Sequence, residues 1–233
     1  MNRPGEKMEN KCPLWKRDLG KLLTGPGGWT LAVVVLLFFL AGCGKPPALV
    51  QKYILEYPPP VVANTPKVGE VIKVEVFEVS QVYNSPAMVY QPDPYKSESY
   101  NYSRWRVNPG YLVTDYLIRD LRNAHTFKAV LPYGSTGKSR FLLEGGVEKF
   151  LEVDSPGVWQ AALAVNVTLL DLNRQELPER VVLQKNYQIL EPLPEKTPQG
   201  LAQGMSRAMA KLSARIIKDV SQAAAQRVKT AGK

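Results

Sequence analysis

Cysteine and histidine are almost missing from this chain: Cys12 and Cys43 are the two cysteines and His125 the one histidine in 233 residues. One histidine cannot supply a histidine-based metal cluster within one chain. A Ser-His-Asp triad could use only His125, which follows a predicted helix and reads as a C-terminal residue interacting with the helix dipole. Acidic residues are scattered over strand faces and loops, in no pairing that the sequence supports as acid and base. There is no repeat period. These absences leave no catalytic residue, cofactor site or metal site to name, and the chain is expected not to be an enzyme.

One motif resembles a nucleotide site: Pro132-Tyr133-Gly134-Ser135-Thr136-Gly137-Lys138-Ser139 ends like a phosphate-binding P-loop. That loop needs glycine where Pro132 stands, and a helix after it whose N-terminus receives the phosphates. Arg140-Phe141-Leu142-Leu143 reads as a strand instead. The motif is expected to be a polar loop, with any nucleotide hydrolysis left to another subunit.

What is present begins at the N-terminus. Residues 31–40 carry no charge. With Trp29, Thr30 and Ala41 the apolar run reaches about a dozen residues, short of the ~20 that a membrane-spanning helix needs and suited to a signal peptide. Arg3, Lys7, Lys11, Lys16, Arg17 and Lys21 precede it as a basic region. Leu40-Ala41-Gly42-Cys43 follows and is similar to a bacterial lipobox, in which the Cys43 thiol accepts the diacylglyceryl group, with palmitate-type acylation to follow. An uncleaved anchor helix is the alternative reading. No Arg-Arg pair precedes the run, which favours general over twin-arginine export.

Cleavage after residue 42 would remove Cys12 and acylation would consume Cys43, so the mature domain is expected to fold without a disulfide. Gly44 and Lys45 stand where an Asp would signal inner-membrane retention. The outer membrane, facing the periplasm, is therefore expected. Acyl chains are a strong anchor, since burial contributes ~0.8 kcal/mol per CH2. The removed part holds six of the 30 Lys/Arg and three of the 21 Asp/Glu, so the net charge falls from +9 to +6. Part of that excess gathers near the C-terminus, at Lys211, Arg215, Lys218, Arg227, Lys229 and Lys233. It reads as a solvated helix face rather than a nucleic-acid surface, which needs a compact basic stripe with interleaved aromatics.

The rest divides into a Pro-rich lipidated tether at 43–66, a domain at 67–222 and a basic tail at 223–233. A short strand at 52–57 lies between Pro46-Pro47 and Pro58-Pro59-Pro60, and β-branched residues predict a strand over 71–79. Residues 87–90 and 99–105 read as short strands joined by a loop around Pro92-Asp93-Pro94. Alternation would put Tyr100 and Tyr102 on one face and Trp105 on the other. Asn108-Pro109 is a helix start, with Val113, Leu117 and Leu121, joined by Tyr116, as the apolar stripe to about residue 123. Strands over 140–153, 159–170 and 180–189 form an antiparallel meander, the first with Gly145-Gly146 marking a bulge or close backbone approach. Thr197-Pro198 opens a second helix with Leu201, Met205, Met209, Leu212, Ile216 and Val220 as its stripe. The expected fold is α+β, a mainly antiparallel sheet with two helices on one face.

The tyrosines between these elements are the remaining signal. Tyr90, Tyr95, Tyr100 and Tyr102 either form a partner-binding surface, since aromatic side chains anchor interfaces, or belong to the core. Trp105 is expected to plug the core beneath the first helix.

Met88-Val89-Tyr90, Tyr95, Tyr100-Asn101-Tyr102 and Arg104-Trp105, with Pro109 before a helix, stand after Tyr53-Ile54-Leu55. Phe141-Leu142-Leu143-Glu144-Gly145 and Phe150 come later. In this order, behind a lipobox, they resemble the ABC-type transport auxiliary lipoproteins, relatives of the paraquat-inducible operon lipoprotein, over residues 53–220. Arg106-Val107-Asn108 departs from the acidic or Pro residue usual after the Trp. The resemblance implies an accessory role beside an MCE-type substrate-binding protein, an ABC permease and an ATPase that move lipids or other hydrophobic molecules between the membranes. It supplies no catalytic residue. A stand-alone lipid or lipoprotein carrier and an envelope regulatory lipoprotein are the alternatives, and homo-oligomerisation stays open.

Overall fold

Residues 49–231, apart from Pro156, are described by the computed structural model. The predicted signal sequence and Cys43 lie outside the described residues. Among the described residues nine strands join one sheet. In chain order they are β1 (Gln51–Tyr53), β2 (Val68–Val74), β3 (Glu78–Val79), β4 (Ala87–Asp93), β5 (Lys96–Trp105), β6 (Phe127–Leu131), β7 (Phe141–Ser155), β8 (Val158–Asp171) and β9 (Val181–Pro192). Between and after them run α1 (Pro109–Ala124), a single helical turn α2 (Leu177–Arg180) and α3 (Pro198–Ala231). The class is α+β, with three α-helices among the described residues rather than the expected two.

The sheet is mixed, which corrects the mainly antiparallel expectation. β7, β8 and β9 form the antiparallel meander, with Leu143 facing Leu169 and Leu163 facing Ile189. The other edge of β7 is shared in succession by three parallel strands: β2 beside Phe141 to Leu143, β3 beside Gly146 and Val147, and β4 beside Leu151 to Val153. β6 also pairs β2 in parallel, as β1 pairs β5. Parallel neighbours need crossover connections, and the chain between the parallel pair β2 and β6 includes helix α1.

The strand predicted over 71–79 is broken for a packing reason. Phe77 leaves the strand line and is buried, its main-chain N–H donating to Thr114 Oγ1 of α1 at 2.9 Å. Its ring lies over Gly145, where an added Cβ would come within 2.6 Å of Phe77 Cε1 and still closer to the Asn166 carbonyl. Gly145 therefore marks a close approach, and the bulge falls just beyond, between Val147 and Lys149.

Both long helices start as the sequence predicts. Asn108 caps α1 through its side chain, which accepts from the Gly110 N–H at 2.9 Å, and Pro109 fills the first helical position. Thr197 does the same for α3, accepting from the Gly200 N–H at 3.0 Å. Val113, Leu117 and Leu121 of α1 share one core with Leu201, Met205, Met209, Leu212, Ile216 and Val220 of α3, all fully buried. Each such side chain removed from water contributes roughly 1.5–3 kcal/mol. Leu55 and Tyr57 of the Pro-rich lead are core residues, and α3 runs to Ala231 with Ala224 buried.

Candidate partner-binding site

The helix-covered face of β7 is apolar as far as Phe150, whose ring meets Trp105 edge-on at 5.1 Å. Two residues later that face becomes charged. Glu152 is fully buried, and in register it stands beside Tyr90 of β4 and Ala161 of β8. The same row continues to Glu98 of β5 and Glu191 of β9. Register-matched residues share a sheet face, so three carboxyls lie on one line with a tyrosine and an alanine between them. α3 crosses this row closely: a Cβ on Gly204 would come within 3.2 Å of the Ala161 methyl.

Each acid has its own partners. Tyr100 Oη donates to Glu152 Oε2 at 2.8 Å, and Tyr90 Oη donates to Glu98. The Tyr90 and Tyr100 rings pack with centroids 5.1 Å apart. Glu191 is held by Lys211 and Arg207 of α3. Asp154, next along β7, pairs with Lys196 at 2.5 Å, and that ammonium lies 5.7 Å above the Trp159 ring. Glu152 Oε1 and Asp154 Oδ1 are buried without a hydrogen-bond partner among the described residues. Burial pushes the Glu152 carboxyl up to about 7, with the Tyr100 hydroxyl opposing the shift and the neighbouring Asp154 adding to it. Burial and the bond to Glu152 likewise raise the Tyr100 hydroxyl.

The four predicted tyrosines thus divide. Tyr90 and Tyr100 are half-buried and tied to acids, whereas Tyr95 is 98% exposed at the hairpin tip and Tyr102 is 58% exposed. β4 extends to Asp93, so the turn is tighter than the loop expected around Pro92-Asp93-Pro94. Tyr100 and Trp105 both pack against the main core, contrary to strict alternation. Between Ala87 and Val89, β4 advances two residues while β5 advances five, and this bulge resets the faces. Trp105 is buried, as expected. β1 covers only Ser103, Arg104 and Trp105, so the outer edge of β5 from Lys96 to Tyr102 pairs with no strand among the described residues.

The chemistry-bearing motifs take the quieter roles. Residues 132–139 lead directly into β7, with no helix to receive a phosphate. His125 ends α1 in the left-handed conformation (φ 49°), and its carbonyl accepts from Lys67 Nζ at 2.6 Å. Among the described residues no group of three or more His, Cys, Asp or Glu is placed to hold a metal ion, and no helix is long and apolar enough to cross a membrane.

The sequence model of the ABC-type transport auxiliary lipoprotein component family matches residues 53–217, a stretch that includes the tyrosine hairpin and the acidic row. The chain belongs to that family. It is therefore a lipoprotein component that works beside an ABC transport system. No curated protein matches it. In structure it is similar to protein XCC0632 from Xanthomonas campestris, at 16% identity and TM-score 0.70, covering 77% of this chain and 99% of that one. It is also similar to an uncharacterized protein at 13% identity and TM-score 0.57, covering 73% and 99%. These likenesses establish the fold alone.

Glu152, Asp154, Lys196 and Trp159 escape the sequence reading of the site. The available signal was a glutamate at an inward position of a strand, two residues after Phe150, where an apolar side chain is the norm.

Proposed function

We propose that this chain is the non-catalytic, lipid-anchored accessory subunit of an MCE-type ABC transport system that moves lipids or other hydrophobic compounds across the envelope. Cys43 carries the lipid, and the domain faces the periplasm from the outer membrane. It docks the MCE-type partner, and through it the permease and ATPase, with the hairpin of β4 and β5. The observation that carries this reading is the pair Tyr95 and Tyr102, large aromatic side chains exposed beside a bare strand edge. Such an edge offers backbone donors and acceptors to a partner strand, and the rings supply buried anchors once it is covered. A stand-alone lipid carrier needs an apolar cavity between helices and sheet. Here Trp105, Phe77, Phe141, Phe150 and Leu163 occupy that region, each fully buried.

The test is co-purification of the tagged full-length chain from detergent-solubilised envelopes, followed by mass spectrometry. Tyr95→Ala with Tyr102→Ala should lose the MCE-type partner while thermal unfolding stays unchanged. Recovery of that partner by the double variant would move the interface elsewhere. Cys43→Ala should abolish labelling by a fatty-acid probe; undiminished label would sink the anchor.

A further inference from the structure

We propose that Glu152 holds a proton that it donates towards the Asp154 carboxylate, and that this proton clasps the tyrosine hairpin and the lead into α3 onto the end of β7. The inference concerns the fold itself and holds whatever the partner is. Positions two apart on a strand point the same way, and the neighbouring Asp154 adds to the upward shift of the Glu152 carboxyl. Each keeps one buried oxygen with no partner among the described residues. A hydrogen placed between the carboxyls can satisfy both groups at once, as one O–H donor and one acceptor.

The surrounding charges require it. From β5, Tyr100 gives Glu152 a hydroxyl donor, and from β4, Tyr90 offers a ring whose own hydroxyl is committed to Glu98. From the lead into α3, Lys196 brings one positive charge, spent on Asp154. β8 contributes Trp159 and Ala161, neither of them charged at any pH. On β9, Glu191 is a further acid, but Lys211 and Arg207 of α3 already meet it. A buried carboxylate and a partly buried one facing one ammonium leave an uncompensated negative charge, and taking up a proton removes it. A metal ion is a poorer answer, because a hard cation such as calcium takes six to eight oxygens, on the order of three times what the two unpartnered atoms supply. Acid–base catalysis is poorer still, since Glu152 is fully buried.

Loss of the proton leaves two like charges together beneath the hairpin, one of them fully buried, and opening of the hairpin and of the lead into α3 relieves that cost by letting water reach them. Hydrogen exchange of the full chain in detergent micelles, corrected for intrinsic rates, reads this at β5 and at residues 193–197. Opening of these segments should increase by up to about tenfold per pH unit from about pH 5 to about pH 7 and level off above, as expected for one released proton. Glu152→Gln, which carries its own amide donor, should flatten that profile. Tyr100→Phe removes a hydroxyl that favours the charged form, so it should move the midpoint upward, and it serves if the glutamine variant folds poorly. A flat wild-type profile, a Glu152→Gln profile identical to wild type, or an unmoved midpoint in Tyr100→Phe would each overturn the clasp.

Discussion

The Tyr57 hydroxyl donates to Asp120 Oδ2 at 2.8 Å, in a place where Asp120 has no exposure at all. Arg119 completes the arrangement. Its Nε donates to Asp120 Oδ1 at 2.9 Å, and its guanidinium lies 4.4 Å from the Tyr57 ring centroid and 4.6 Å from that of Tyr116. The Tyr116 hydroxyl reaches back to the Leu55 carbonyl. The Pro-rich lead is thereby fastened to α1 before the chain enters β2. Tyr57→Phe keeps the ring and removes a hydrogen bond to a buried charge, which should cost about 1.5–3 kcal/mol. Urea unfolding measures it; a change near zero would show that Arg119 alone satisfies Asp120.

Gly145 carries the second prediction. Gly145→Ala pushes a methyl into the Asn166 carbonyl and the Phe77 ring, neither of which is a flexible side-chain end. It should destabilise the domain by about 1–3 kcal/mol, the usual cost of overpacking. Gly146→Ala meets only the Asn166 side-chain amide, at 3.1 Å, and should cost less. The two melting temperatures, measured side by side, decide it, and equal losses would contradict the close-approach account.

These two positions also show what the sequence made legible. Gly145-Gly146 inside an apolar strand pattern signals a close approach, and the structure supplies Phe77 as the visitor. Asn108-Pro109 and Thr197-Pro198 mark helix starts because capping is local chemistry, decided within a few residues. Parallel pairing is not local. That β2, β3 and β4 all lie along one edge of β7 depends on crossovers, which leave no period in the sequence, and β6 went unanticipated for the same reason. The site divides the same way. Tyr90, Tyr95, Tyr100 and Tyr102 stand out by composition, but the bulge in β5 sends Tyr100 inward. Glu152 becomes a neighbour of Tyr90 only through a strand pairing of long range.

Lys138 should have no role with nucleotides. The loop before it is built on local turns, with the Ser135 N–H donating to the Pro132 carbonyl at 2.9 Å and the Gly137 N–H to Ser135 Oγ at 3.1 Å. β7 follows where a phosphate site needs a helix N-terminus. Equilibrium dialysis of the full chain with ATP should find no saturable binding. A micromolar affinity abolished by Lys138→Ala would contradict this.

Asp171 sets the acid limit of stability. It is fully buried, and it accepts from Arg140 Nε and Nη2 at 3.3 Å each, from Arg227 Nε at 3.2 Å, and from the Asn173 N–H at 3.2 Å. Burial alone would raise its carboxyl, but the bonds from Arg140, Asn173 and Arg227 outweigh burial and hold it below its ordinary value of 3.8. A carboxyl depressed in the folded state contributes stability that is present above its unfolded value and lost as pH falls through the folded one. Glu152 has the opposite sign, since its raised carboxyl favours the folded chain at low pH and loses that advantage as pH rises towards about 7. The urea midpoint should therefore peak on the mildly acidic side and fall in both directions. Asp171→Asn should flatten the acid limb and, by leaving Arg140 and Arg227 short of charge, cost about 3–5 kcal/mol at neutral pH. Arg227 lies in the last turns of α3 and its guanidinium also bonds the Glu179 carbonyl, so the same variant should loosen the C-terminal end of that helix. Faster hydrogen exchange there, with the N-terminal half of α3 unchanged, is the expected pattern; uniform loosening along the helix would mean that Asp171 supports the whole core rather than this one junction.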